Sequence, residues 1–151
     1  MWVALLSYVV CWEYASGGGL MINIYRERRT TRRKIQPLED DECFTFIEWC
    51  ELHEKRWPCL KWLFHVDNEG KHKVQYRVKR ARKGVKGGVS DYMLLVPRKG
   101  YNGLIIEMKR IGGYATPVQK DFLNFEAENG YYVCVCSGAN QAIKALKFYL
   151  S

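Results

Sequence analysis

The sequence predicts an α/β sandwich, a small mixed central β-sheet flanked by helices. Three observations predict it: helical and strand periodicities alternate along the chain, two short strands are spaced to form a hairpin, and one helix carries complete start and stop signals. With 151 residues, 48% of them apolar, the chain can bury a core as one domain without covalent staples.

Met1–Trp12 is apolar. It is shorter than the ~20 residues a membrane span needs, and it lacks the basic start of a signal peptide. ASGGG follows at 15–19. Residues 1–20 are therefore expected to be an appendage outside the domain, with Met21 a candidate start of the natural chain. Residues 21–37 read as a basic arm closed by Pro37, and 38–151 as the folded domain.

From Leu38 the pattern turns helical. Cys43, Phe46, Ile47 and Cys50 share one face, and Glu39, Asp40, Asp41 and Glu42 crowd the first turn, where the helix dipole favours acids. Trp57-Pro58 should stop this helix. Cys59–Val66 is a strand candidate, and Lys73–Lys83 a short basic helix ended by Gly84. GVKGGVSD leads to Asp91. Tyr92–Val96 and Leu104–Lys109 then form an antiparallel hairpin across a turn at 97–103. Thr116-Pro117-Val118-Gln119 has the N-cap, first-position proline and third-position glutamine of a helix start, and Gly130 supplies its stop. Tyr131–Cys136 is a strand. Ser137 should cap a last helix with the stripe Ala142, Ile143, Leu146 and Leu150.

The 24 Lys and Arg exceed the 16 Asp and Glu by eight charges, which suits a polyphosphate partner, an anionic surface or simple solubility. The basic residues cluster in Arg26–Lys34 and in Lys73, Arg77, Lys79, Arg80, Arg82, Lys83 and Lys86. Two such segments favour nucleic acid over a merely solvated face, with Lys73, Arg77, Lys79, Arg80, Lys83 and Lys86 as the contacting residues. The six cysteines contain no C-x-x-C pair and fit reduced, mostly buried thiols in a cytoplasmic protein better than zinc ligands or disulfides.

The chemistry concentrates in the hairpin. In LIIEMK, Glu107 and Lys109 lie two apart, so both face the side of Ile105, while Ile106 and Met108 face the other. A carboxylate and an amine on a central strand are costly unless compensated. The midpoint of positions 91 and 107 is Lys99, inside the turn, so Asp91 can sit opposite Glu107, with Cβ atoms about 4.5–5.5 Å apart. Two carboxylates at that distance need a shared proton or a cation, and Mg²⁺ or Mn²⁺ suits oxygen ligands. A plain Glu107–Lys109 ion pair, with Asp91 capping a turn, fits the same spacing.

The ordered set of Gly84–Asp91 (GVKGGVSD), Gly103–Lys109 (GLIIEMK), Thr116–Gln119 (TPVQ) and Gly130–Cys136 (GYYVCVC), with Leu38–Glu42 (LEDDE) upstream, resembles the VRR-NUC family of the PD-(D/E)XK nuclease superfamily. The likeness runs from about Leu38 to Ser151. It implies a restriction-endonuclease-like sandwich and metal binding by Asp91, Glu107 and the carbonyl of Met108. It further implies Lys109 as the catalytic lysine, Glu42 completing the site from the first helix, where Asp41 competes with it, and Gln119 reaching in from the later helix. A capping role for Gln119 competes with that one. Ser90 stands where the superfamily has proline, and Glu69 breaks the family's Asn-glycine stretch at Asn68.

The implied activity is a Mg²⁺- or Mn²⁺-dependent endonuclease of phage type, acting on branched DNA such as Holliday junctions or flaps. It would work as a homodimer in the bacterial host cytoplasm, without membrane attachment or a small-molecule cofactor. Two other functions fit less well: a non-catalytic nucleic-acid-binding module that keeps the fold, and a membrane-associated protein anchored by Met1–Trp12 and Arg26–Lys34.

Overall fold

The computed structural model describes residues 10–15, 19–23, 38–66 and 74–151. Lys73, Asn68 and most of the basic arm lie outside the described residues. A six-stranded mixed sheet runs through the molecule in the order β2-β1-β6-β5-β4-β3. Its strands are β1 (Val10–Ala15), β2 (Gly19–Asn23), β3 (Phe64–His65), β4 (Tyr92–Leu94), β5 (Leu104–Lys109) and β6 (Tyr132–Ser137). The helices are α1 (Glu39–His53), α2 (Val74–Arg82), α3 (Pro117–Glu128) and α4 (Ala139–Leu150). The four strands β3–β6 with their flanking helices make the expected α/β sandwich. The β1–β2 hairpin, which includes part of the segment expected to lie outside the domain, extends the sheet antiparallel to β6.

Strand β5 is central, parallel to β6 and antiparallel to β4, and all six of its residues are buried. Its alternation divides the core. Leu104, Ile106 and Met108 pack with Phe46 and Cys50 of α1 and with Ala142, Ala145, Leu146 and Tyr149 of α4. Ile105 faces the other way, with Leu123 of α3, Val133 and Ala115. Tyr92↔Ile106, Met93↔Ile105 and Leu94↔Leu104 pair across the hairpin. One step further along the same register sets Asp91 opposite Glu107, as the turn count predicts.

Three local expectations change. Cys59–Val66 is not one strand. Pro58–Trp62 forms a 3-10 turn, and only Phe64 and His65 pair, with β4. Pro58 has no N–H for a ladder and suits the first position of a helical turn, and of the five turn residues only Leu60 is buried, so no strand alternation competes. Strand β4 stops at Leu94 because the Val96 carbonyl accepts instead from Tyr149 Oη (2.6 Å), and Leu95 is exposed.

Ser137 is the last residue of β6 rather than the cap of α4. Gly138 takes the cap position at φ +84°, ψ 164°, a region essentially closed to other residues. The side chain that caps α4 comes from α1: Glu42 Oε2 accepts from Ala139 N at 2.6 Å. A carboxylate at a helix N-terminus satisfies an orphan donor and the dipole together.

A Cβ on Gly138 would meet Glu42 Oε2 at 3.0 Å. Gly138→Ala should therefore destabilise the protein by about 1–3 kcal/mol, read as a lower urea midpoint at unchanged slope. An unchanged midpoint would show that the turn into α4 does not need glycine.

Candidate active site

The site forms at the C-terminal end of β5, on the face covered by α3. Glu107 is 0% exposed, and Asp91, Lys109 and Gln119 are also buried. Pairing positions each one. Val66 N donates to the Asp91 carbonyl (2.7 Å), holding the chain just before β4. Asp91 Oδ2 accepts from Met108 N (2.7 Å), which ties the acid to the strand carrying Glu107. Lys109 Nζ lies 2.6 Å from Glu107 Oε1 and donates to the Met108 carbonyl at 2.8 Å.

Gln119 does two things at once. Its Oε1 accepts from Thr116 N (2.9 Å), closing the capping box of α3, while its Nε2 donates to Glu107 Oε1. One start signal thus fixes both a helix boundary and a site contact.

The first-turn acids of α1 separate. Asp41 Oδ2 accepts from Leu38 N (3.1 Å) and so starts the helix. Glu42, which the family resemblance puts in the site, holds the N-terminus of α4. The acid that reaches Lys109 is Glu39: Oε1 lies 3.5 Å from Lys109 Nζ, and Oε2 accepts from Arg110 N (3.0 Å). Sequence reasoning did not single out Glu39. Helical spacing was the available signal, since residues three apart share a face.

Electrostatics match this geometry. Burial, then the neighbouring Asp91, push the Glu107 carboxyl up to about 7 against the opposing pull of Lys109. Burial works against the charge on Lys109, but Glu107 outweighs it and the ammonium is held above its ordinary range. Lys109 therefore keeps its proton at neutral pH and acts as a cationic donor rather than a base.

Glu107 Oε2 and Ser90 Oγ are both sealed from solvent without a well-formed hydrogen bond, and the Ser90 hydroxyl lies close enough to Glu107 to ease its charge. A buried carboxylate oxygen with no more than one weak donor is expensive and leaves a lone pair for a cation. Among the described residues no three His, Cys, Asp or Glu side chains converge as a cage. Two carboxylates and a nearby carbonyl still suit Mg²⁺ or Mn²⁺, which keep waters and substrate phosphates in their shell.

The basic candidates belong to α2 and the segment that follows it. Lys79 on α2 and Lys83 and Lys86 beyond it are exposed, and Arg80 is half-buried. Arg77 belongs to α2, but its side chain is outside the described set. Gly88, at φ +83°, lies so close to Val118 that a Cβ would overlap it, which brings the basic loop against the start of α3. Cys43, Cys50, Cys59 and Cys136 are free thiols.

A mixed sheet that gathers two acids and a lysine at one strand end is the frame of a nuclease-type α/β domain. The VRR-NUC domain profile matches residues 25–140, more than half of the chain, and the chain belongs to the VRR-NUC family. A solved structure of a VRR-NUC domain protein is similar at 28% identity and a TM-score of 0.63, covering 76% of this chain and 88% of that one. No curated protein matches the chain.

The raised Glu107 has a consequence for folding. Its folded value lies above its ordinary 4.5, so the metal-free fold is favoured with the proton on. That advantage is complete below about 4.5 and is lost as pH rises through about 7. In chelator, wild type should lose stability relative to Glu107→Gln between those values and level off above them, by roughly 2–3 kcal/mol. Urea titrations of both proteins from pH 5 to 8 measure it, and a constant difference across that range would contradict the raised carboxyl.

Proposed function

We propose that this protein is a Mg²⁺- or Mn²⁺-dependent endonuclease that hydrolyses DNA phosphodiester bonds. The observation that carries the reading is Glu107: fully buried on a central strand, one oxygen held by Lys109 and Gln119, with a second acid, Asp91, close enough to raise its proton affinity. Such a group costs stability at neutral pH unless a proton, an ion pair or a bound cation offsets its charge, and two acids side by side favour the cation.

Asp91, Glu107 and the Met108 carbonyl would hold the ion. When bound, it would polarise the scissile phosphate and activate a water. Lys109, kept protonated, donates to the phosphate as negative charge builds there. Gln119 holds Glu107 in one rotamer, so the ligand need not reorganise as the metal enters. Glu39 steadies Lys109 from α1. Glu42 keeps the N-terminus of α4 beside the end of β5, where Gly138 N donates to the Lys109 carbonyl (2.9 Å).

Lys79, Arg80, Lys83 and Lys86 would take the DNA backbone, joined by Lys73 and Arg77. Branched DNA is the favoured substrate. Among the described residues one protomer offers one such cluster, so cutting two strands of a junction suits a homodimer.

Purified protein should cut DNA with Mg²⁺ or Mn²⁺ and stop in chelator. Asp91→Asn should lower cleavage on the order of 10²–10³-fold or more while still binding DNA. Cleavage at wild-type rate by that variant would remove the site from the chemistry. The phosphate contacts have their own signature. Lys83→Ala with Lys86→Ala should weaken binding across all sequences and lower the slope of log affinity against log salt by about 2. An unchanged slope would place the DNA elsewhere.

A further inference from the structure

The loop between β5 and α3 begins and ends at the site, because Lys109 and Gln119 both contact Glu107. Within it, Gly113 N donates to the Arg110 carbonyl (2.8 Å) and Gly112 turns at φ +83°. A Cβ on Gly113 would lie 3.5 Å from Lys109 Cβ, so the chain passes directly beside the lysine there. The next residue is Tyr114. Ala115 follows, buried with Ile105, Leu123 and Val133, and Thr116 then caps α3. Tyr114 thus stands between two anchored points rather than at the end of a loose loop.

Its side chain is nevertheless 81% exposed, more than that of any other large apolar residue among those described. Its ring packs on no other ring among the described residues. Two exposed cations flank the loop in the chain, Arg110 after β5 and Lys120 at the start of α3, and the basic segment that carries Lys86 packs its Gly88 against Val118 of α3. A bare ring on a loop that starts at Lys109 and ends at Gln119, with exposed cations in the flanking chain, matches the chemistry of single-stranded nucleic acid, with charges for the phosphates and a π-face for a base.

We propose that Tyr114 stacks on an unpaired base next to the phosphate that docks at the Asp91–Glu107–Lys109 cluster, and so selects DNA with unstacked bases over continuous duplex. In a continuous duplex both faces of each base are covered by its neighbours, leaving none for the ring. A single-stranded tail or an open junction presents one. This inference rests on the nuclease reading above.

The test uses one sequence as continuous duplex, as the same duplex with a single-stranded tail, and as a four-way junction. The enzymes are wild type, Tyr114→Ala, Tyr114→Phe and Tyr114→Trp. In the alanine variant the ratio of kcat/KM on tailed or junction DNA to that on duplex should fall roughly 5- to 150-fold, while phenylalanine and tryptophan retain it. The ring covers nothing, so the alanine variant should melt with the wild type. In a second arm, 2-aminopurine is stepped along the tail and bound to Asp91→Asn protein without cleavage. One position should lose fluorescence on binding, and adding Tyr114→Ala should restore it. A wild type without preference for unpaired DNA, an equal loss on every substrate, or quenching that survives without Tyr114 would overturn the proposal. If wild type cuts nothing with either metal, the nuclease reading fails, and the fluorescence arm still decides the role of Tyr114.

Discussion

The structure is organised around one costly group, a carboxylate with no exposed surface in the middle of the sheet. Glu107 sits on β5, between β4 and β6, where every neighbour along the strand is buried. A charge in that position must be paired, protonated or bound to a cation. Lys109 and Gln119 meet one oxygen, Asp91 raises the proton affinity, and the second oxygen has no well-formed hydrogen bond, with only the Ser90 hydroxyl nearby. Much of the local architecture follows from this demand. The box that starts α3 includes Gln119 because the same residue must reach the strand. Asp91 is bound to Met108 N because it must stay across from Glu107.

The two faces of the sheet divide the labour. Toward α1 and α4 the packing is apolar and close, with Phe46, Ile106, Met108, Leu146 and Tyr149 all sealed. Toward α3 the apolar layer is smaller, and it gives way to polar groups at the end of β5. Strand alternation makes this possible within six residues: Ile106 and Met108 anchor the strand on one side while Glu107 and Lys109 face the other. The rigid face holds the costly one in place. The acids of α1 serve the same end, Asp41 starting the helix, Glu42 holding α4, and Glu39 steadying Lys109.

Local rules were strong where one short stretch contains its own physics. The hairpin register follows from a residue count, because two strands joined by one turn have a single pairing sum. The start of α3 follows from Thr116, Pro117 and Gln119, each with a distinct steric or hydrogen-bonding reason. Local rules failed where two distant segments decide together. Glu39 and Glu42 lie three apart on one helix, so spacing cannot tell which meets Lys109 and which meets Ala139 N. Ser137 looks like a good cap, but β6 needs it as a ladder residue opposite Lys109, and Glu42 supplies the cap instead. Phe64 and His65 pair because β4 is there, whereas the rest of Cys59–Val66 finds no partner strand.

The sequence by itself determined the α/β pattern, the pairing of Asp91 with Glu107 and the common face of Glu107 and Lys109, since periodicity and turn length act over a few residues. It also carried the ordered motif by which the family is recognised. Tertiary structure decided how the acids of α1 divide, how far β4 runs, and that Gln119 both caps α3 and holds Glu107. It also decided that Tyr114 stands bare beside Lys109. Each of these depends on where elements far apart in the chain come to rest, and burial, not local propensity, sets that.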